Sequence, residues 1–416
     1  MKKKLLMTIA LCVSMAFGGC MLPPETSESM GAGTSLSENS TSSSTDLDGD
    51  NSLDSSTDLD SDGSFDSSDD LDSDSSAEVI VNDEMSVHFL ELGNKYTGDC
   101  TLIKVGDTEV LIDAGSRKNS AAAISGYIDK YCTDGVLEYV IATHAHEDHI
   151  AGFIGKKSGN VRDGILYNYE VETLIQFART DYALTTDKGN PTLYSEYVDA
   201  VAYAESQGTQ VYSALDCWNN ANGGQKSYYL NDAQTISMNI LYNYFYENKT
   251  SGGGGENEYS VCMLLSHGED HFLFTGDLEK KGEEYLVQYN DLPQCTLFKG
   301  GHHGSYTATS DALLQVIQPE IVCVCCCCGS TEYTSNIENV FPAQAFVDRV
   351  AKYTDKVYVT TVVASNSQGY QSLNGNIVVT KKDGEVTVNC SNNNTLFKDT
   401  DWFKANRTMP NEWKGE

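Results

Sequence analysis

Basic residues are scarce in this sequence: 27 Lys and Arg stand against 60 Asp and Glu, which leaves a net charge of −33. Nucleic-acid affinity comes largely from neutralising phosphates, so this balance opposes tight, unaided binding to a polyanion. The chain also has no Gly-x-Ser-x-Gly motif and no internal repeat of about 20 to 50 residues. The first absence argues against a Ser-His-Asp hydrolase of the nucleophile-elbow type, and the second argues against a solenoid.

The N-terminal segment has the pattern of an export signal. Three lysines at positions 2–4 precede the apolar run Leu5–Phe17, which is too short to span a bilayer as a stable anchor. The run ends in Phe17-Gly18-Gly19-Cys20, which resembles the lipobox of bacterial lipoproteins, with Phe17 where leucine is usual. We predict that 1–20 is signal and lipobox and that Cys20 is lipidated; an ordinary cleaved signal is the alternative. We expect the protein at the extracellular face of the cell membrane, or secreted if the lipobox is not used.

Residues 21–78 are almost all Ser, Thr, Asp, Gly and Asn. Such a stretch cannot bury enough apolar surface to offset its chain entropy, so we predict a disordered tether. It carries 16 of the 60 acidic residues, and 79–416 carries 44 acidic against 24 basic residues, a net of −20. We therefore predict one folded domain at 79–416, held at the membrane by the lipid anchor only and needing no obligate protein partner.

Eleven of the 13 cysteines lie outside the signal and lipobox, and five of them fall between Cys323 and Cys328. Adjacent strand residues point to opposite faces of a sheet, so neighbouring cysteines pair poorly. We predict that 321–328 is a buried strand that uses cysteine as a small apolar residue, with few or no structural disulfides. A soft-metal or redox site is the alternative, although no C-x-x-C pairs with a second at zinc-finger spacing.

Short apolar runs alternate with stretches of helical periodicity from Val87 onward. Helices are predicted at 119–132, 193–207, 278–289, 310–317 and 342–353. Strands are predicted at 87–92, 100–105, 109–112, 137–142, 171–177, 210–212, 236–243, 260–265, 271–274, 295–298, 321–324 and 356–360, with a closing hairpin about 383–384. This order predicts an α/β (α+β) fold in which two mixed sheets pack together with helices outside.

The most informative stretch is Thr143-His144-Ala145-His146-Glu147-Asp148-His149, directly after an apolar strand. It holds four potential metal ligands and three of the eight histidines of the chain. Imidazoles and a carboxylate are the ligand types that zinc takes at catalytic positions. This pattern predicts a metal centre built from His144, His146, Asp148 and His149.

Two later motifs place further ligand types after apolar strands. Asp277 closes Phe272-Leu273-Phe274-Thr275-Gly276-Asp277, and a histidine pair follows the strand at 295–298 in Lys299-Gly300-Gly301-His302-His303-Gly304-Ser305. Each motif is weak alone, because Gly-Asp is common and paired histidines are often structural. In this order after the first cluster, they strengthen the prediction of one shared metal centre.

The three motifs resemble the metallo-β-lactamase superfamily, and more narrowly the secreted relatives of the metallo-hydrolase domain of the competence protein ComEC. That branch also shows a Gly-Asp strand, a Leu-Ile-Asp-Ala-Gly motif and an Asn-x-x-Ser pair, matched here by 98–103, 111–115, and Asn257 with Ser260. The resemblance covers about 86–380. It implies an αββα sandwich with the metal site at one edge of the two sheets.

The resemblance also implies roles for individual residues. His144 and His146 would bind a first metal, Asp148 and His149 a second, and Asp277 would bridge them. One of His302 and His303 would complete the second site, and His303 is favoured because a small residue and a serine usually follow the ligand in sister families. Asp113 matches a residue that orients a ligand from outside the metal site. Lys299 and Ser305 are predicted to contact substrate, although a plain surface lysine is equally compatible.

The family pattern is incomplete in one place. Many members add a histidine between the first cluster and the Gly-Asp motif, but no histidine lies between Ile150 and Ser266. His267 is predicted to be a surface residue of a hairpin turn. Asp181 or a water would then fill the first site, or that metal binds loosely, so one or two zinc ions are expected, with manganese as a substitute.

Ligand types and resemblance point to the same chemistry. A metal would lower the pKa of water and present hydroxide to phosphorus or carbonyl carbon, with Asp148 and His149 as the catalytic pair and Asp148 receiving a proton. The leading hypothesis is a nuclease-like phosphodiesterase acting outside the cell on a small or polymeric phosphoester, with nucleic acid or its fragments as the substrate that the resemblance to ComEC suggests. The alternatives are an esterase of phosphorylated wall or lipid head groups, and a non-catalytic lipoprotein with a degenerate metal site. Lactam hydrolysis ranks below these.

Overall fold

The computed structural model describes residues 84–250, 255–365 and 368–415. The predicted signal, Cys20 and the tether therefore lie outside the described residues. Within them, no helix combines the length and the apolar composition needed to cross a membrane.

Two large sheets form the centre of the fold, and a two-stranded hairpin stands apart from them. In chain order the strands are β1 (Met85–Phe89), β2 (Thr101–Val105), β3 (Thr108–Ile112), β4 (Val136–Ala142), β5 (Lys157–Ser158), β6 (Val161–Arg162), β7 (Glu170–Gln176), β8 (Gln210–Ser213), β9 (Ser227–Tyr229), β10 (Ile236–Ile240), β11 (Met263–His267), β12 (Asp270–Phe274), β13 (Leu297–Lys299), β14 (Ile321–Cys328), β15 (Val357–Val363), β16 (Tyr370–Ser372), β17 (Ile377–Lys382) and β18 (Glu385–Cys390).

The helices are short and connect or flank these strands. They are α1 (Ser120–Ile128), α2 (Glu147–Ile154), α3 (Ile165–Asn168), α4 (Leu193–Gln207), α5 (Ala214–Asn219), α6 (Lys280–Tyr289), α7 (Asp311–Ile317), α8 (Gln344–Val350) and α9 (Asp401–Asn406).

Both sheets have eight strands and mix parallel with antiparallel pairs. The first has the order β18-β17-β1-β2-β3-β4-β7-β8, with parallel pairing from β3 to β8. The second has the order β16-β15-β14-β13-β12-β11-β10-β9, with parallel pairing from β12 to β15. The predicted fold class, two packed mixed sheets with outer helices, is confirmed.

The core lies between the sheets and beneath the helices. Phe89 of the first sheet stacks on Phe274 of the second, with ring centroids 6.4 Å apart. Phe153 of α2 belongs to the same buried cluster, whereas Leu313 and Phe346 of α7 and α8 pack in a second cluster on the other face of the second sheet. These contacts stack the elements as helix, sheet, sheet and helix layers.

Strand β14 fills the centre of the second sheet, and all eight of its residues are buried. Cys323 and Cys325 face the core between the sheets, whereas Cys326 and Cys328 face the helices α7 and α8. The described cysteines form no disulfide. The predicted buried strand at 321–328 is confirmed, with its side chains alternating between two apolar layers.

His267 does not lie where the sequence analysis placed it. It is the last residue of β11, pairs in register with Asp270 and Ile236, and is only 4% exposed. The prediction of a surface residue was wrong because β11 continues two residues past the predicted end at Leu265, so the turn begins after His267.

Candidate metal centre

The site lies where four strands end at one edge of the sandwich. Asp113 follows β3, the histidine cluster follows β4, Asp277 follows β12, and the histidine pair follows β13. Because β3 pairs in parallel with β4 and β12 pairs in parallel with β13, their carboxyl ends meet at the same edge. The topology thus brings together all three motifs predicted to bind metal.

Main-chain hydrogen bonds hold these motifs in close contact. The carbonyl of Asp148 accepts from the N–H of Asp99 at 3.0 Å, and the carbonyl of His149 accepts from the N–H of Ala114 at 2.7 Å. Gly115 packs so closely on this segment that a Cβ there would overlap the carbonyl of Asp148. The Leu-Ile-Asp-Ala-Gly motif therefore serves as a backbone support for α2, whose first turn carries Asp148 and His149.

One half of the site converges on Asp277. The Oδ2 atom of Asp277 lies 3.1 Å from His149 Nε2 and 3.2 Å from His303 Nε2, and His303 Nε2 lies 3.4 Å from Asp148 Oδ2. Ligand atoms about 2.0–2.1 Å from a tetrahedral zinc stand about 3.4 Å from each other. His149, Asp277 and His303 therefore fit a single divalent cation, and Asp148 adds a carboxylate oxygen beside His303.

Unpaired buried atoms in this half support the same conclusion. His149 Nε2, His303 Nε2 and Asp277 Oδ1 are buried and have no hydrogen-bond partner. A buried polar atom without a partner costs about 1–3 kcal/mol, so such groups are normally satisfied. A cation at this point would satisfy all three of these atoms together.

The opposite ring nitrogens of the same histidines face two further carboxylates. His149 Nδ1 lies 2.7 Å from Asp113 Oδ2, and His303 Nδ1 lies 2.9 Å from the carbonyl of Cys325 and 3.3 Å from Asp99 Oδ1. A carboxylate or carbonyl on the far ring nitrogen is the usual partner of a metal-bound histidine, because it fixes the tautomer and the ring orientation. The structure places Asp113 and Asp99 in this orienting position.

Asp99 was part of a quoted motif, but the sequence analysis assigned it no role. Its carboxylate also lies near His149 and Asp277, in one buried group of four acidic and imidazole side chains with His303. We interpret Asp99 as an orienting residue and not as a ligand, because it faces the Nδ1 side of His303 and forms an ion pair with Lys299. One signal could have indicated this role of Asp99. The residue precedes β2, and the start of β2 lies at the same sheet edge as the end of β3.

The electrostatics of these side chains reflect this crowding. Burial alone would lower the pKa of His149 and His303, but Asp277 and the orienting carboxylates raise both well above the usual histidine range. Burial would raise the pKa of Asp277, whereas His149 and His303 lower it well below the usual carboxyl range. The carboxylates and imidazoles of the cluster therefore favour each other's charged forms.

The other half of the site is formed by the first two histidines. His144 Nε2 and His146 Nδ1 face each other at 2.9 Å, and His144 Nδ1 lies 3.1 Å from the hydroxyl of Thr143 and 3.4 Å from that of Ser260. Burial and the neighbouring His149 and His146 lower the pKa of His144, so its ring is neutral, the form that binds metals. Ser260 also accepts from the N–H of Asp277 at 3.1 Å, which explains the serine that precedes the Gly-Asp motif.

Two predicted site residues are buried beside the centre. Lys299 is 3% exposed and forms an ion pair with Asp99, and the hydroxyl of Ser305 hydrogen-bonds Thr307 at 2.9 Å. Neither residue lines the pocket over the metal centre. Their predicted contact with substrate stays a prediction. The carboxylate of Asp181 accepts a hydrogen bond from Tyr259 at 3.1 Å and lies 3.2 Å from Lys249, and its predicted place in the first site stays a prediction.

The centre opens into a pocket of about 390 Å³. Its lining includes Arg117, His146, Asp148, His302 and Tyr333. Tyr333, which sequence reasoning missed, lies in the loop after β14 and donates a hydrogen bond of 2.6 Å to Asp148 Oδ2. No motif pointed to it, because a loop tyrosine acquires its role only from the packing of that loop over the site.

Comparison with known proteins shows which family two segments of the chain resemble. The family model described as the metallo-beta-lactamase superfamily matches residues 93–155 and 249–328, which contain all of the proposed metal ligands. Recombination protein 2 of Haemophilus influenzae is 29% identical over 109 residues, which span 26% of this chain and 12% of that protein. ComE operon protein 3 of Bacillus subtilis is 32% identical over 65 residues, which span 16% of this chain and 8% of that protein. The chain thus spans only a small part of the length of these curated relatives.

Among solved structures, the metallo-beta-lactamase fold protein YhfI from Bacillus subtilis aligns with 68% of this chain and 97% of its own, at 12% identity and a TM-score of 0.34. Both matched segments of the family model carry the site described above. The sandwich of two mixed sheets, the buried Asp/His cluster and the two matched segments together support a ComEC-like protein of the metallo-beta-lactamase superfamily and, in general terms, a metal-dependent hydrolase.

Proposed function

We propose that this hydrolase cleaves phosphodiester bonds outside the cell. The observation that carries the proposal is the position of Arg117 at the pocket beside the metal ligands Asp148 and Asp277. A phosphodiester carries one negative charge, which a guanidinium binds through two parallel N–H groups. Among the described residues that line the pocket, Arg117 is the one lysine or arginine.

The residues of the centre would have different roles in hydrolysis. The second site would hold a cation through Asp148, His149, Asp277 and His303, and the first would use His144 and His146. Zinc or manganese bound there would lower the pKa of water toward neutrality and neutralise charge on the attacked phosphate. Asp148 would orient the attacking water and receive its proton, while Tyr333 donates to the same carboxylate and keeps it in place.

The acidic rim of the pocket, formed by Glu147 and Glu332, favours a small phosphodiester substrate over a long polynucleotide. Arg117 is paired with Glu332 and lies 3.6 Å from Glu147, so two carboxylates stand at the mouth of the pocket. Together with the net charge of −20 over 79–416, they repel a chain of phosphates. A phosphorylated wall or lipid head group is the second candidate, and it is favoured by this rim and by the proposed lipid anchor at Cys20.

Turnover of bis-p-nitrophenyl phosphate by the purified, zinc- or manganese-loaded protein tests this function. Asp277→Ala should lose both turnover and bound metal, because Asp277 contacts His149 and His303. Arg117→Met should keep the metal and raise KM by about tenfold, the loss of one charge-assisted contact of about 1.5 kcal/mol. No turnover together with less than one metal per chain would instead support a non-catalytic lipoprotein. Intact DNA across a salt series would exclude a nuclease.

The proposed location has its own test. Cys20→Ala should move the protein from the membrane fraction to the medium without changing its turnover, because the lipid is attached far from the catalytic domain in sequence. Membrane retention of the variant would contradict the anchor.

A further inference from the structure

The two adjacent histidines after β13 face different directions. Both have left-handed backbone conformations, with φ of 47° at His302 and 54° at His303. Such conformations are unfavourable for non-glycine residues and persist only where the surroundings enforce them. The turn separates the ring centroids by 6.0 Å, so His303 is fully buried while the side chain of His302 is 19% exposed at the pocket.

His302 has the contacts expected of a metal ligand. Its Nδ1 lies 3.1 Å from Thr307 Oγ1 and 3.4 Å from Glu279 Oε1, whereas its Nε2 faces Asp277 Oδ2 at 3.8 Å. One nitrogen is thus held by a hydroxyl and a carboxylate, and the other is directed at the centre. The N–H of His302 also donates to the carbonyl of Gly276 at 3.2 Å, which fixes the residue beside the Gly-Asp motif.

The first site needs another ligand. His144 and His146 supply two imidazole nitrogens, but catalytic zinc usually takes three protein ligands. Asp181 is bonded to Tyr259 and Lys249, and no histidine lies between Ile150 and Ser266. Both His146 and His302 line the same pocket, together with Asp277.

We propose that His302 Nε2 supplies the missing imidazole of the first metal site. His302 and His303 would then serve different metals on the two sides of Asp277. This inference deepens the proposed function and rests on it, since it concerns the same centre. The sequence analysis expected only one of His302 and His303 to bind a metal. With both as ligands, the centre has enough protein ligands for two metal ions.

Cobalt titration of the metal-free, full-length chain tests the proposal, because visible absorption reports each site without turnover. The wild-type protein should bind two cobalt ions per chain. His302→Ala should bind one, with the spectrum of the remaining second site, and His303→Ala should retain the first-site spectrum instead. His146→Ala combined with His302→Ala should lose no more metal than His146→Ala alone. The matched control is His271→Ala, a histidine of β12 bonded to Ser266 and away from the centre, which should still bind two ions.

Glu279→Gln is a second, milder test in case His302→Ala does not fold. It keeps the ring of His302 but weakens the carboxylate contact at Nδ1, so first-site affinity should fall by about 10–100-fold while the second site is unchanged. Two tightly bound ions in His302→Ala, or wild-type binding of one ion only, would overturn the proposal. Turnover of bis-p-nitrophenyl phosphate by that one-metal protein would leave the proposed hydrolase function intact, whereas two bound ions without turnover would reject the function and keep the ligand assignment.

Discussion

The phenol of Tyr333 donates a hydrogen bond of 2.6 Å to Asp148 Oδ2 across 185 residues of sequence. Asp148 belongs to the first turn of α2, and Tyr333 lies in the loop that follows β14. Burial and the carboxylate of Asp148 raise the pKa of Tyr333, so the phenol stays protonated and acts as a donor. This contact joins a loop of the second sheet to the histidine cluster of the first.

Tyr333→Phe should therefore lower turnover without removing metal. A hydrogen bond to a charged group contributes about 1.5–3 kcal/mol, which corresponds to a decrease of about 10- to 100-fold in kcat/KM for bis-p-nitrophenyl phosphate. The control is Tyr229→Phe, an exposed tyrosine of β9 that should keep wild-type kinetics. Unchanged kcat/KM in Tyr333→Phe would show that Asp148 keeps its position without the phenol.

Asp113→Asn should weaken the second metal while leaving the chain folded. The carboxylate of Asp113 accepts from the N–H and hydroxyl of Thr143 and faces His149 Nδ1 at 2.7 Å. An amide is similar in size but is a weaker partner for the imidazole, so we expect affinity to fall by about 10–100-fold. Competition with a chromophoric chelator measures this change, and the exposed Asp199→Asn serves as the control. Equal affinities in the two variants would reject an orienting role for Asp113.

The sequence was enough to predict the histidine cluster, Asp277 and the histidine pair. Residue type indicates which side chains can bind a metal, and each of these motifs directly follows an apolar strand. Asp99 and Tyr333 could not be predicted, because their roles depend on register and packing. Asp99 precedes β2, and only the antiparallel pairing of β2 with β3 brings it to the edge where Asp113 ends its strand.

The existence of the strands with strong apolar patterns could also be predicted from the sequence. The residues at which those strands begin and end were predicted less accurately. The predicted α4 (193–207) and β14 (321–328) agree with the observed bounds. The helices α2, α3, α5 and α9 were missed, because four to eight residues give too little periodicity to recognise. His267 was wrongly predicted to lie in a turn for a related reason. A polar residue at the end of a strand has the sequence pattern of a turn, and only its pairing with the neighbouring strand shows that the strand continues.

Glu258→Gln should change the pH dependence of stability. Burial, with a contribution from Glu279, raises the pKa of Glu258 from 4.5 to about 8. Between these values the folded chain holds a proton that the unfolded chain has lost, so the free energy of unfolding falls as pH rises, by up to about 1.4 kcal/mol per pH unit. Glutamine cannot ionise, so the variant should gain stability relative to wild type from pH 5 to pH 8 in urea unfolding. The control Glu205→Gln, on the exposed face of α4, should run parallel to wild type. A constant difference between Glu258→Gln and wild type would contradict the raised pKa.

Site-resolved alkylation distinguishes the structural and redox interpretations of the cysteine run. A reactive thiol needs exposure and a lowered pKa. All five cysteines of β14 are buried, whereas Cys390, on the edge strand β18, is partly exposed. Burial raises the pKa of Cys390 to about 11 and that of Cys295 to about 12, so even the most accessible described thiol should react slowly. In the native protein, iodoacetamide should modify Cys390 first and leave β14 unmodified until urea unfolds the sheet. Fast native modification between Cys323 and Cys328 would contradict a purely structural strand and favour a redox or soft-metal site there.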